Sequence, residues 1–373
     1  MRTTPTGGPA CWVFGLRLIP CALDGLNLDS DTEKVVSGEI SAGVADDNGV
    51  RMTFVVGYEP EGESSSDQGE ILADIRYGTS HERWTATPWR LVVGLEPVAR
   101  SDQPFPAREV WRVQRVTGSG WDDGIGYVEG HDLLFAHGII GDEGSDLSTP
   151  ADALFTRLLR LASDHGYPHP LRMWSFLPSI HREVGGLERY RGFCVGRESA
   201  FRAAGLEASH FPAGTAIGSS APGLLVYCLA VKRPGRPVEN PRQVSAYCYP
   251  SCYGPRSPSF ARAVQLPGQG RCRLLVSGTA AVVGHRSCHP GDIQAQMAET
   301  LVNLESLARA AGLDGCWQDQ ARSPLLKVFL REPSSIDRVA AGLHDWSGGR
   351  ARVLYLKGEV CRQELDIEIE GVV

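Results

Sequence analysis

The sequence contains no apolar run near the roughly 18 residues that a membrane-spanning helix needs. It has no cluster of Lys or Arg either, and its net charge of −7 is spread along the chain. A nucleic-acid or anionic-membrane face is therefore not expected. Ten cysteines are present, but no two form a Cys-x-x-Cys pair. Cys248 and Cys252 are separated by three residues, and His285, Cys288 and His289 lie together without a second ligand pair, so no metal site is expected. A scattered set of reduced, packed thiols fits a cytoplasmic protein. The apolar stretch from Phe14 to Ile19 is short and lacks a basic flank, so it does not read as a signal peptide. The Gly-rich segment 118–126 encloses Trp121, Asp122 and Asp123, whose acids would repel a phosphate, and reads as a turn.

At 373 residues with 42% apolar and 22% charged positions, the chain can form a sizeable core and is long enough for two domains. An internal echo supports that division. In the first half, an apolar run ends in Gly138. Ser148, Thr149 and Pro150 then start a helix whose Leu154, Phe155, Leu158, Leu159 and Ala162 share one face. A strand from Met173 to Ile180 follows. In the second half, 272–278 ends in Gly278, and Pro290, Gly291 and Asp292 precede a helix with Ile293, Met297, Leu301, Leu304 and Leu307 on one face. A strand at 325–330 comes next. Second helices are expected at 187–204 and 335–343. Closing strands are expected at 224–231 and 243–249 in the first half, and at 353–360 and 365–369 in the second. This doubled β-α-β-α-β-β order predicts an α+β fold of mixed sheets, each with helices on one face. The first hundred residues are strand-rich but fit no place in this scheme.

Three stretches concentrate polar and aromatic groups. In 187–201, Tyr190, Phe193, Cys194 and Arg197 share one helical face, which could equally be a core face with Arg197 reaching solvent. Residues 239–263 hold Tyr247, Tyr249 and Tyr253 with Arg242, Arg256 and Arg262, either an anion cleft or an edge strand and turn. In 357–371, Asp366, Glu368 and Glu370 alternate along a strand, a pattern common on solvated edges.

"LLVSGTAAVVG", the helix carrying Gln296, Leu301 and Asn303, and the terminal "DIEIEG" resemble the RidA (YjgF) family over about 254–371. Together, "GLERYRGFCVGRESAF", "ENPRQVSAYCYPSCYGPRSPSFARA", "SGTAAVVGH" with "HPGDIQAQMAETLVNLE", and "LYLKGEVCRQELDIEIE" resemble the chorismatases over about 170–370. The two resemblances imply two RidA-like units as pseudo-symmetric halves: residues 1–250 a degenerate N-terminal unit, and 251–373 a C-terminal unit carrying the catalytic acid. They imply chorismate as substrate, pyruvate as one product, no metal or organic cofactor, a monomer, and a role in supplying polyketide starter acids.

The chorismatase resemblance makes Glu368 the acid that protonates the enolpyruvyl group, and the first half has no acid in the corresponding place. Arg197 and Arg256 would hold the substrate's carboxylates, for which planar guanidinium forks are suited. Tyr190 and Tyr253 would be hydroxyl donors. Gly278 would let its backbone N–H approach the ligand, with the Thr279 hydroxyl beside it. Cys361, seven residues before Glu368, marks the 3-hydroxybenzoate-forming type, with Ala281 at the pocket wall near a second type-distinguishing position. The alternatives left open are a hydrolytic chorismatase giving a dihydroxycyclohexadiene carboxylate, a RidA-like enamine or imine hydrolase, and a silent binder of small acids.

Overall fold

The computed structural model describes residues 40–45, 51–59, 69–99, 108–266, 274–319 and 323–373, all within one unit, Ser37–Val373. The first strands are β1 (Ile40–Ala45), β2 (Arg51–Glu59), β3 (Glu70–Tyr77), β4 (Glu82–Arg83), β5 (Arg90–Val93) and β6 (Arg108–Val113). They form an N-terminal sheet in the order β1-β2-β6-β3-β5-β4, without helices among the described residues.

The middle unit runs β7 (Val116–Asp122), β8 (Ile125–Gly130), β9 (Leu133–Ile140), α1 (Ser148–Asp164) and β10 (His169–Pro178). After a hairpin, β11 (Glu183–Val184) with β12 (Leu187–Glu188), come α2 (Arg189–Ala203), β13 (Ala213–Ser219) and β14 (Leu224–Val231). The C-terminal unit runs β15 (Arg236–Val238), β16 (Ala263–Gln265) and β17 (Leu274–Thr279), then a hairpin of β18 (Val282–Val283) and β19 (Arg286–Ser287). It continues with α3 (Ile293–Ala310), β20 (Leu325–Leu330), α4 (Ile336–Ser347), β21 (Arg352–Lys357) and β22 (Ile367–Val372).

The sheet orders are β7-β8-β9-β14-β10-β13 and β15-β16-β17-β22-β20-β21. Both are the same permutation: a three-strand meander, then the last strand, then the two strands joined through the second helix. Those two strands run parallel in both units, β10 with β13 and β20 with β21. The fold is thus the expected doubled, RidA-like α+β unit, with a third sheet ahead of it. β15 already pairs in the C-terminal sheet, so the sheets change over between Val231 and Arg236 rather than at residue 250.

One expected strand is absent. Residues 243–249 instead form loop and a short 3-10 turn, Ala246–Cys248. The position belongs to β13, "AGTAIGS", whose small residues give almost no apolar signal but let a neighbouring chain approach. A Cβ on Gly214 would come within 2.9 Å of Phe260 Cβ. Along β13 the two units meet: Ala261 N–H donates to the Pro212 carbonyl (2.9 Å), and Gly218 N–H to the Glu359 carbonyl (2.7 Å).

β14 shows why its sequence is a continuous apolar run. Leu225, Tyr227, Leu229 and Val231 face a core shared with the other two sheets, while Leu224, Val226, Cys228 and Ala230 face the core under α1 and α2. At the start of α3, Asp292 accepts from the backbone N–H groups of Gln294 and Ala295, both at 3.1 Å, a cap that contributes about 1 kcal/mol.

Candidate active site

A cavity of about 410 Å³ opens where β13 of the middle unit meets β17 and β22 of the C-terminal unit. Tyr190, Arg197, Tyr253, Arg256, Gly278, Cys361 and Glu368 all line it, although they come from both units. α2 supplies Tyr190 and Arg197. The loop 239–263 supplies Tyr253 and Arg256 along with Tyr249 and Arg262, which also line the cavity.

The edge of the cavity is fixed by two buried amides on α3. Gln296 donates to the carbonyls of His289 (3.1 Å) and Glu364 (3.0 Å) and accepts from Asp366 N–H (2.7 Å). Asn303 donates to the carbonyls of Ala280 and Val282, each at 3.0 Å. These amides bracket the loops that precede β22 and follow β17.

Glu368 is only 5% exposed, and among the described residues its carboxyl accepts no hydrogen bond. Burial, then the nearby Glu370 carboxylate, push its pKa up to about 8 against the opposing pull of Arg172 and Arg262. The alternating acids of β22 are therefore not a solvated edge. A Cβ at Gly278 would lie 1.9 Å from Glu368 Oε1, so the missing side chain is what gives the carboxyl its place. Gly278 N–H is not free for a ligand: it donates to Thr215 Oγ1 at 2.9 Å.

Arg197 is 4% exposed. Its guanidinium lies 4.8 Å from the Phe193 ring centroid and 5.9 Å from that of Phe260. Among the described residues its Nε and Nη2 have no hydrogen-bond partner, nor has Nε of Arg262. Buried donors left in this state cost about 1–3 kcal/mol each, a cost that an anionic ligand would remove. Arg256 is half exposed at the rim, with Nε 3.6 Å from Glu198. Arg242 is not a lining residue and is engaged with Asn303 and Glu299, both at 2.5 Å.

The family model for Chorismatase FkbO/Hyg5-like, N-terminal, matches residues 109–230. A 3-hydroxybenzoate synthase from Streptomyces hygroscopicus is 35% identical over 313 residues, 81% of this chain and 91% of the relative. The chain belongs to the chorismatase family. A chorismatase from the same organism is 33% identical, covering 81% of this chain and 89% of the relative. A crystal structure of a chorismatase at 1.08 Å resolution aligns with a TM-score of 0.74 and 30% identity, over 86% of this chain and 98% of that one.

Within this chorismatase fold, several expected site residues have other partners. The Thr279 hydroxyl donates to the Ser277 carbonyl (2.9 Å), and Thr279 does not line the cavity. Ala281 is fully buried in a small apolar cluster with Val360 and Leu365, and it is Ala280 that lines the cavity. Tyr253 donates its phenolic proton to the His285 carbonyl at 2.6 Å, so it offers a ligand lone pairs rather than a donor. Cys361 packs against the same apolar cluster as Tyr190, and burial followed by the Glu368 charge push its thiol pKa up to about 12. It therefore keeps its proton at neutral pH.

Three lining or supporting residues escaped sequence reasoning. Arg362 lies 4.3 Å from the Tyr253 ring centroid and 5.2 Å from that of Tyr249, and donates to the His285 carbonyl at 2.9 Å. It directly follows Cys361, a position that offered a signal. Thr215 lies on the unforeseen β13. Arg172, behind it, donates to Thr215 Oγ1 at 2.6 Å, and nothing in its local sequence marks it.

Proposed function

We propose that this chain converts chorismate to 3-hydroxybenzoate and pyruvate, with Glu368 as the general acid. The observation that carries this reading is the buried Glu368 carboxyl, its pKa raised toward neutral pH, facing a cavity in which Arg197 and Arg262 hold donors unpaired among the described residues. A general acid needs a pKa near the working pH. With Glu368 uncharged, Arg197, Arg262 and Arg362 leave the inner cavity cationic, which suits a substrate bearing two carboxylates.

Glu368 gives its proton to the methylene carbon of the enolpyruvyl group. The ether carbon becomes electron-poor and open to attack by water or by the substrate's own C4 hydroxyl. Cys361, between Tyr190 and Glu368, supplies a protonated, weakly polar side chain that disfavours a water at this place. The internal route then leads to ring aromatisation, and the two products together have the mass of chorismate. The name of the 35% identical relative agrees with this outcome.

Incubation of the purified protein with chorismate in labelled water tests the reading. The expected products are pyruvate and an aromatic acid, with no solvent oxygen entering pyruvate as it forms. Cys361→Ala is expected to lower the aromatic yield and release some non-aromatic diol. Only diol from the unaltered protein would overturn the product assignment, and no pyruvate at all would overturn the reaction.

A further inference from the structure

Glu370 lies two residues beyond Glu368, on the same face of β22, but its surroundings are different. The Trp174 indole donates to Oε1 at 2.7 Å, and Lys327 Nζ lies 2.8 Å from the same oxygen. Arg172 reaches Oε2 at 2.7 Å, and the Thr215 hydroxyl donates to Oε2 at 2.5 Å. Burial alone would raise the Glu370 pKa, but Lys327 and Arg172 together hold it below the usual range. Lys327 also pairs with Glu109 of β6 at 2.9 Å, and Glu109 accepts from Tyr77 and Trp111 at 2.8 and 2.7 Å. Two acids and two bases, all buried, cancel in charge, and each oxygen of both acids has a partner. This is the condition under which buried ions persist.

The link to the cavity is Thr215. Its hydroxyl oxygen accepts from Gly278 N–H, and Gly278 is the residue whose missing Cβ accommodates Glu368. The charged and titratable groups facing Glu368 are Glu370 on its own strand, Arg172 from β10, Arg262 from the segment before β16, and Cys361 from the loop before β22. The two arginines favour the ionised acid. Glu370 opposes them both by its own charge and by engaging Arg172.

We propose that Glu370 is a positioning residue: a fixed buried anion, tied through Lys327 to the N-terminal sheet, that keeps its strand neighbour Glu368 protonated. The proposal rests on the reading of Glu368 as the acid. It gives the N-terminal sheet a part in the chemistry, because Glu109 holds the far side of Lys327.

Glu370→Gln tests it. The variant keeps the shape but frees Arg172 to favour the Glu368 carboxylate, a change that typically lowers a carboxyl pKa by about 1–3 units. The alkaline fall of kcat/KM should move down by at least about one pH unit, giving a loss of about fivefold or more near pH 8 and a much smaller loss near pH 5.5. A merely structural role would lower the rate evenly across pH. An unmoved alkaline limb in a folded variant overturns the proposal. In parallel, carboxyl-labelled glutamate is followed by carbon NMR, with the Glu368 resonance identified by its loss in Glu368→Gln. That resonance should titrate well above the ordinary carboxylate range in the unaltered protein and move down in Glu370→Gln. If the variant does not fold, an ordinary midpoint for Glu368 in the unaltered protein overturns the proposal and an elevated one supports it. Absence of pyruvate formation by the unaltered protein counts against the functional reading alone, because the NMR comparison needs no turnover.

Discussion

Replacing Glu368 by Gln should remove activity and raise stability together. The folded chain holds the Glu368 proton until about pH 8, whereas an exposed glutamate releases it near 4.5. As pH rises between these values, the unfolded chain gains the free energy of ionisation and the folded chain does not. The protein therefore loses stability at about 1.4 kcal/mol per pH unit from this one group. Gln has no proton to hold, so its advantage over Glu should grow by about 3 kcal/mol between about pH 5.5 and about pH 7.5. Above pH 8 the penalty levels off, because both states are then ionised. Thermal or urea unfolding of the two proteins, measured in parallel across this window, reads the difference directly, and several degrees of Tm are involved. Loss of the proposed general acid should lower kcat by about 10²–10⁴-fold. A Gln variant whose stability relative to the parent does not change with pH would refute the argument that Glu368 is buried as the neutral acid. Near-normal turnover would remove it from the mechanism.

Gly278→Ala introduces a Cβ 1.9 Å from Glu368 Oε1. The carboxyl is the end of a side chain and can move, so thermal stability should change little while kcat falls by about 10²-fold. Arg197→Ala removes buried donors that have no hydrogen-bond partner among the described residues. It should raise the chorismate Kd about 10- to 100-fold by calorimetry, the worth of a hydrogen bond to a charged group, whereas Arg256→Ala at the exposed rim should raise it less.

The helices and the doubled order could be read from the sequence because α1 and α3 carry apolar residues at helical spacing on faces that are buried. The cavity's cast was also readable where it is dense in Tyr and Arg, as in 187–201 and 239–263. Other parts were not readable, for identifiable reasons. β13 is built of small residues that serve close approach rather than burial of bulk, so it carries no strong apolar signal. Arg172 and Glu370 are 198 positions apart, and Lys327 meets Glu109 across three sheets' worth of chain, so no local pattern announces either pair. The alternation of acids in β22 is the same pattern as a solvated edge. What distinguishes it is the set of cations facing it from β10 and β20.

The two units differ at the equivalent last strand, where only the C-terminal unit carries acids. In the middle unit β14 is apolar on both faces and bears no acid. In the C-terminal unit Ile367 and Ile369 of β22 keep the face toward α3 and α4 apolar, while Glu368 and Glu370 replace apolar residues on the face toward the middle sheet. Burying two carboxylates at neighbouring positions is unfavourable unless each is dealt with differently. Lys327 and Arg172 compensate Glu370 as an ion. Glu368, next to an anion whose cations are already taken, is more stable keeping its proton. The second acid thus needs the first, and the pair needs cations from both units, so a single α+β unit of this kind would not contain the site.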